Sequence, residues 1–302
     1  MSTPASPRTI LVIGAIGKQG GAVIDHILAS KEAKSFHVIA VTRDSMSSKA
    51  LKLASRPRVT VIEGDLSNAE KLFTAAERQV WGVYSVQINS DSEEQHGRGL
   101  IDAAIAHGIS HFVYSSCDRG GPEKSASDPT DVKNFAAKFY IEKYLEARAA
   151  SSPQEMTYTL LRPVTFFDNL TPDIHGRGFA RMWEQLGSKK LQFISTDDIG
   201  WFAAQSFFYP EQHRNEAITL VGDELTQPDA DIIFREVIGH SMPMAPCIIG
   251  SAVKFVQKDT VGDMFRWFEA HGYGGSVDEC RLTYPRLRDF RSWLKDNKGG
   301  WV

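Results

Sequence analysis

The chain has 302 residues, 42% of them apolar and 24% charged, which are the proportions of a globular protein rather than a disordered one. Its formal net charge of -3 gives no electrostatic basis for direct binding to nucleic acid or to an anionic membrane surface. The opening MSTPASPRT carries no apolar leader, and the apolar runs Ile10–Ile13 and Ala245–Val253 are too short to span a bilayer, so no membrane segment is expected.

Ile10–Ile13 is an apolar run that predicts a strand, and Gly21–Ser30 has helical periodicity. The alternation continues with strand-like His37–Thr42, helical Ala50–Ser55, strand-like Val59–Glu63 and helical Asn68–Ala76. Gly82–Val86 then reads as a buried strand, followed by a helix around Gly97–His107 and a strand at His111–Ser115. Strands alternating with helices predict a parallel sheet covered on both faces, and the handedness of such crossovers makes it doubly wound. Val132–Ala149 is a long helix closed near Pro153, and Tyr158–Leu161 is a strand stopped by Pro163. Beyond it lie a helix near Phe179–Leu186, a short strand Leu191–Ile194 and an acid-started helix Asp197–Tyr209. A strand at Ile218–Val221, a helix capped by Thr226 and a final amphipathic helix Arg286–Lys295 complete the series. The fold class expected is α/β: a Rossmann-type doubly wound parallel sheet over residues 8–165, and a smaller C-terminal α/β lobe over residues 166–302, interleaved with the last elements of the core.

The stretch GAIGKQGG places Gly14, Gly17 and Gly20 directly after the first strand and at the start of the first helix. One glycine permits the tight turn, one lets the backbone approach a pyrophosphate, and one lets helix and strand pack closely. The helix N-terminus then offers unpaired N–H groups to the phosphates. A nicotinamide dinucleotide is the expected cofactor. At the end of the second strand an NAD-selective site would carry a carboxylate, and this chain has Thr42-Arg43. A guanidinium can clasp a 2′-phosphate, so NADP(H) is expected in preference to NAD(H), although Asp44 could instead pair with Arg43. Asp65-Leu66 fits the adenine edge; the alternative for Asp65 is a helix cap.

Cys117, Cys247 and Cys280 are odd in number and lack CxxC spacing, which predicts free thiols in a reducing compartment: the cytoplasm, with the nucleus as an alternative. His96, His107 and His111 lack the spacing of convergent ligands, and no metal site is expected.

With these residues in hand, the chain resembles the NmrA-like (nitrogen metabolite repression regulator) family of atypical short-chain dehydrogenases/reductases. The motifs that carry the resemblance are GAIGKQGG (14–21), VTRD (41–44), EGDL (63–66), HFVYSS (111–116), FAAKFYIEKYL (135–145), LLRPVTFFDNL (160–170), DDIGWFAAQSF (197–207) and LVGDELT (220–226). The resemblance implies that Gly14, Ala15, Ile16, Gly17, Lys18, Gln19 and Gly20 form the pyrophosphate loop and that Arg43 meets the 2′-phosphate. It implies that Asp65 and Leu66 flank adenine, that Val86, Gln87 and Ile88 border the nicotinamide ribose, and that Lys138 hydrogen-bonds that ribose. Phe166, Phe167 and Asn169 would close over the nicotinamide end, directly after the strand end at Pro163, where such sheets bind ligands. This chain departs from the family at Ile16, where Thr is common, at Val86, where a small polar residue is frequent, and at Gln95, where some relatives carry Lys.

Conventional short-chain reductases place Tyr four residues before Lys, and the Lys helps the Tyr to exchange a proton beside hydride transfer. Here Asn134 occupies that position, and Tyr140 and Tyr144 are rotated off the face of Lys138. Lys138 is the candidate catalytic residue, with a purely cofactor-binding role as its alternative. Two functions from different classes follow. One is an NADPH-dependent reductase of a small aromatic or conjugated carbonyl or imine substrate. The other is a non-catalytic NADP(H) redox sensor acting on a regulatory protein partner. The polar segments 87–97 and 118–131 read as mobile loops suited to either. The aromatic segment 263–275 reads as a pocket roof or as a core-facing helix. Substrate, partner and oligomeric state are left open.

Overall fold

Strands form where aliphatic and β-branched residues run together, and their burial shows which are interior. The structure, a computed structural model, describes residues 6–246 and 261–301. Cys247 and most of the run Ala245–Val253 lie outside the described residues. Strands β1 (Arg8–Val12), β2 (Phe36–Thr42), β4 (Val80–Ser85) and β5 (His111–Ser115) are buried along nearly their whole length, as parallel strands covered on both faces must be. β3 (Val59–Glu63) exposes Thr60 and Glu63, as suits an edge. With β6 (Thr157–Pro163) and β9 (Glu216–Leu220) they make a seven-stranded sheet of order β3-β2-β1-β4-β5-β6-β9. The ladders from β3 through to β6 are all parallel. The doubly wound arrangement expected from the sequence is the one observed, and its order reverses between β1 and β4, the crevice where such sheets take ligands. A second, three-stranded sheet joins β7 (Thr165–Phe166), β8 (Leu191–Ile194) and β10 (Asp223–Leu225).

The helices α1 (Lys18–Ala29), α2 (Ser48–Ala54) and α3 (Ala69–Ala75) follow β1, β2 and β3 in turn. Two elements differ from the sequence expectation. Helix α4 (Glu93–Ala106) begins four residues before Gly97, so half of the segment 87–97 is ordered helix rather than loop. The segment 118–131 contains helix α5 (Pro122–Ser127), started by a proline at a position whose N–H needs no partner. Its entry is fastened by Asp118, a fully buried carboxylate that accepts from the backbone N–H groups of Gly120, Gly121 and Gly274 at 3.0–3.1 Å. Gly121 packs against Gly274, and the buried Ser125 hydroxyl donates to Asp118 at 3.2 Å. Helix α6 (Lys133–Ala150) follows, then α7 (Ile174–Glu184), α8 (Thr196–Phe208) and α9 (Gln227–Ile238). The last three are α10 (Val261–Ala270), α11 (Val277–Thr283) and α12 (Phe290–Asp296). Among the described residues no helix is long and apolar enough to cross a membrane.

The chain divides into two compact units. The first takes the chain up to Ser116 together with Ala137–Leu161 and Ile199–Ile218; the second takes Cys117–Ala136, Arg162–Asp198 and the chain from Thr219 onward. A single cut after residue 165 does not reproduce this division, because α6 and α8 each carry residues of both units.

The core of the first unit is aliphatic, with Leu11, Ile39 and Val83 of the sheet packed with Leu72, Leu100, Ile101, Ile141 and Leu145 of the helices. His111, fully buried here, is a satisfied core residue: Nδ1 meets the Thr157 hydroxyl at 2.8 Å and Nε2 that of Thr159 at 3.2 Å. His107 pairs instead with Glu70 at 2.6 Å. The core of the second unit is aromatic. Phe167 stacks on Phe193 at 5.4 Å between ring centres and on Trp293 at 5.5 Å. Phe265, Trp267 and Phe268 of α10 are buried in the same cluster, so the segment 263–275 supplies core.

Candidate functional site

In the first unit the loop after β1 is shaped by its glycines. Ile13 donates its N–H to the Tyr84 carbonyl at 3.0 Å, which carries the chain to the sheet's C-terminal edge. Gly14 then turns with φ +67°, in the left-handed region where a side chain is strained. The Gly17 N–H closes the turn on the Gly14 carbonyl at 2.9 Å. A β-carbon on Gly20 would lie 2.7 Å from the Gly14 carbonyl carbon, so the helix can back onto the loop only because Gly20 has none. Helix α1 starts at Lys18 with Gly17 at its cap, a residue with no side chain to make a capping hydrogen bond. A backbone cradle that any β-carbon would fill, capped by a positive helix end, has the chemistry of a pyrophosphate site.

The other loop residues divide their work. Ala15 is buried, Ile16 and Gln19 are half-buried, and Lys18 is exposed. The Gln19 Oε1 accepts from the Tyr84 hydroxyl at 3.0 Å and from the Ser115 hydroxyl at 2.6 Å, tying the start of α1 to β4 and β5. Burial pushes the Tyr84 hydroxyl well above the ordinary phenol range, so it stays a donor.

At the end of β2, the Thr42 hydroxyl lies 3.2 Å from the Asp44 N–H, and Asp44 accepts from the Met46 N–H at 2.9 Å. Asp44 therefore stabilises its own turn, and Arg43, exposed beside it, makes no ion pair among the described residues. Thr42 sits in register with Glu63 of β3, whose carboxylate takes the Ser45 hydroxyl at 2.6 Å and the Ser45 N–H at 3.0 Å. These bonds hold Glu63 below the usual carboxylate range. Sequence reasoning did not single out Glu63; its place in EGDL was the only signal. Asp65 caps the 3-10 turn Leu66–Asn68, accepting from the Ser67 hydroxyl and from the Ser67 N–H at 2.8 Å, and these two bonds, the hydroxyl's foremost, lower its pKa. The capping alternative for Asp65 is thus the observed geometry, with its carboxylate still exposed. Leu66 and His96 border an open cleft of about 610 Å³.

After β4, Val86 abuts Gly14: a β-carbon there would stand 3.1 Å from Val86 Cγ1. Gln87 is buried and donates to the Ser85 hydroxyl at 2.7 Å, while Ile88 is 69% exposed. Lys138, in the second turn of α6, ion-pairs with Glu93 of α4 at 2.5 Å. Glu93 was not anticipated, because only the approach of α4 to α6 brings it to Lys138. Asn134 is buried one turn before Lys138. Tyr140 is exposed, and Tyr144 donates to the Asp102 carboxylate at 2.8 Å.

In the second unit, Pro163 ends β6 and is buried, Phe166 is half-buried and Asn169 is exposed. Phe167 differs from the expectation that it closes over a ligand: it has no exposed surface, and its ring stacks with Phe193 and Trp293 in the aromatic core. Asp168 between them accepts from the Thr196 N–H at 3.0 Å and hydroxyl at 2.8 Å, capping α8. Among the described residues no group of three or more His, Cys, Asp or Glu side chains could hold a metal ion.

The sequence profile of the NmrA-like family matches residues 6–290. The NmrA-like family domain-containing oxidoreductase FrzB of Cladobotryum sp. is 32% identical over 271 residues, 79% of this chain and 76% of its own. Two solved proteins share the fold at low identity. Citrobacter sp. triphenylmethane reductase, complexed with NADP(H), gives a TM-score of 0.71 at 18% identity over 96% of this chain and 99% of that one. NmrA, a negative transcriptional regulator, gives 0.67 at 19% identity in complex with NADP, over 96% of this chain and 95% of that one. In complex with NAD it gives 0.68 at 18% identity over the same shares of the two chains, 96% and 95%. By its profile and its relatives, the chain belongs to the NmrA-like family.

Proposed function

We propose that the protein binds NADP(H) in its first unit and is an NADPH-dependent reductase of small aromatic or conjugated carbonyl or imine compounds. The observation that carries this reading is the cradle of Gly14, Gly17 and Gly20 at the start of α1, with Arg43 exposed at the next strand end. The pyrophosphate rests on the loop from Gly14 to Gln19 at the N-terminal end of α1, and Arg43 forks onto the 2′-phosphate. Asp65 and Leu66 border adenine. Val86, Gln87 and Ile88 border the nicotinamide ribose, and Lys138 donates to that ribose. When bound, the reduced cofactor supplies a hydride. That relatives such as FrzB are named oxidoreductases supports turnover.

A second reading, a non-catalytic redox sensor with a regulatory protein partner, has two observations in its favour. Asn134 cannot act as an acid or base, and Lys138 is already paired with a buried carboxylate. That NmrA is a transcriptional regulator supports it.

The deciding experiment follows NADPH absorbance with a panel of quinones, aromatic aldehydes and cyclic imines, with Lys138→Met as control. The reductase reading predicts consumption with at least one class and a large fall in the variant. Tight NADPH binding with no consumption across the panel would overturn it in favour of the sensor.

A further inference from the structure

Glu93 opens α4 and Lys138 lies 45 residues later in α6. Their side chains meet with Nζ 2.5 Å from Oε1, and they are 1% and 12% exposed, respectively. A carboxylate so deep is tolerated only when paired. One Glu93 oxygen holds the ammonium, while Oε2 is buried with no hydrogen-bond partner among the described residues. Among the described residues the Glu93 carboxylate thus has Lys138 as its partner, and the ammonium, with three N–H donors, keeps others for the ribose. Lysine by itself is a compact charge on a flexible four-carbon stem. Here that charge is fixed in direction and cancelled within one hydrogen-bond length.

The nicotinamide ring carries a positive charge when oxidised and none when reduced. An uncompensated ammonium beside it penalises the oxidised form alone, whereas a compensated one does not. We propose that Glu93 is a positioning residue for Lys138: it aims the ammonium and cancels its field, so that this corner of the site does not set NADP⁺ and NADPH apart. The inference rests on the reading that Lys138 lies at the nicotinamide end. If the protein is a reductase, the cancellation lets oxidised product leave as readily as reduced cofactor enters. If it is a sensor, its discrimination must come from other residues.

The test is calorimetric, on the full chain, with NADP⁺ and NADPH titrated into the wild type, Glu93→Gln, Lys138→Gln and Glu93→Gln/Lys138→Gln, each checked by thermal unfolding. Glu93→Gln leaves the ammonium bare, and NADP⁺ is expected to weaken relative to NADPH by about fivefold. Lys138→Gln leaves the carboxylate and is expected to move the ratio the other way; the double variant returns it to the wild-type value. A structural role alone would weaken both forms equally. If Glu93→Gln does not fold, the Lys138→Gln ratio decides. Equal losses of both cofactors in Lys138→Gln, with no change of ratio, overturn the charge cancellation but leave Lys138 at the cofactor. If Lys138→Gln changes neither affinity, the placement of Lys138 itself is wrong.

Discussion

Gly20 backs directly onto Gly14: a β-carbon on Gly20 would stand 2.7 Å from the Gly14 carbonyl carbon and 3.0 Å from the Ala15 nitrogen. The obstructing atoms are backbone, which cannot swing aside as a side-chain end can. Gly20→Ala must push α1 away from the loop that it caps. The expected cost is about 2 kcal/mol of stability, with loss of dinucleotide binding even where the variant remains folded. Thermal unfolding and nucleotide titration on the same sample separate the two effects.

Arg43 is exposed, with no ion pair among the described residues, at the strand end where Glu63 holds Ser45. Arg43→Ala is expected to weaken NADP(H) about tenfold while leaving NAD(H) affinity unchanged. Glu63→Gln removes a negative charge from the same edge and is expected to favour the phosphorylated cofactor. The argument from Arg43 to NADP preference is wrong if Arg43→Ala leaves both affinities where they were.

His111 is buried between two threonine hydroxyls, and burial, with His213 and Arg8 nearby, lowers its pKa from 6.5 to about 3. The folded state thus binds this proton less readily than the unfolded chain does. The stability it contributes is whole above pH 6.5 and is lost as pH falls from 6.5 towards 3, by up to about 1.4 kcal/mol per pH unit. His111→Gln cannot take up that proton. Across this window its melting temperature is expected to fall less steeply than that of the wild type; parallel curves would show that other groups govern acid unfolding.

Arg288 joins three carboxylates: Asp197 and Asp198 at 2.7 Å each, and Asp296 at 2.9 Å. The Asp198 side chain has no exposed surface, so removing its partner strands a buried charge. Arg288→Ala is expected to cost about 3 kcal/mol, and Asp198→Asn in the same chain to recover part of it. Equilibrium unfolding in urea of the two single variants and the double gives the coupling directly. Additive losses would mean that the pair does not hold this corner together.

The sheet was legible because its strands are unbroken apolar runs, such as TILV and FHVIAVT, separated by amphipathic helices. The glycine loop was legible for the same reason, since its spacing is demanded by close backbone approach. Less was legible where one residue's role depends on a distant one. Glu93 reads as one more acid in a polar run until α4 and α6 are seen side by side. Asp118 and its glycines look like a mobile loop, although the carboxylate takes N–H groups from residues 120, 121 and 274. Phe167 sits between two plausible site residues, and only the second unit's aromatic core shows which way its ring is turned.

The measurement that bears most directly on nicotinamide dinucleotide binding by the glycine cradle is calorimetric titration of the purified protein with NADP⁺, NADPH, NAD⁺ and NADH side by side. Saturable binding of both phosphorylated forms is expected, with the two unphosphorylated forms weaker by about tenfold. Binding of none of the four would contradict the reading of Gly14, Gly17 and Gly20 on which the proposed function stands.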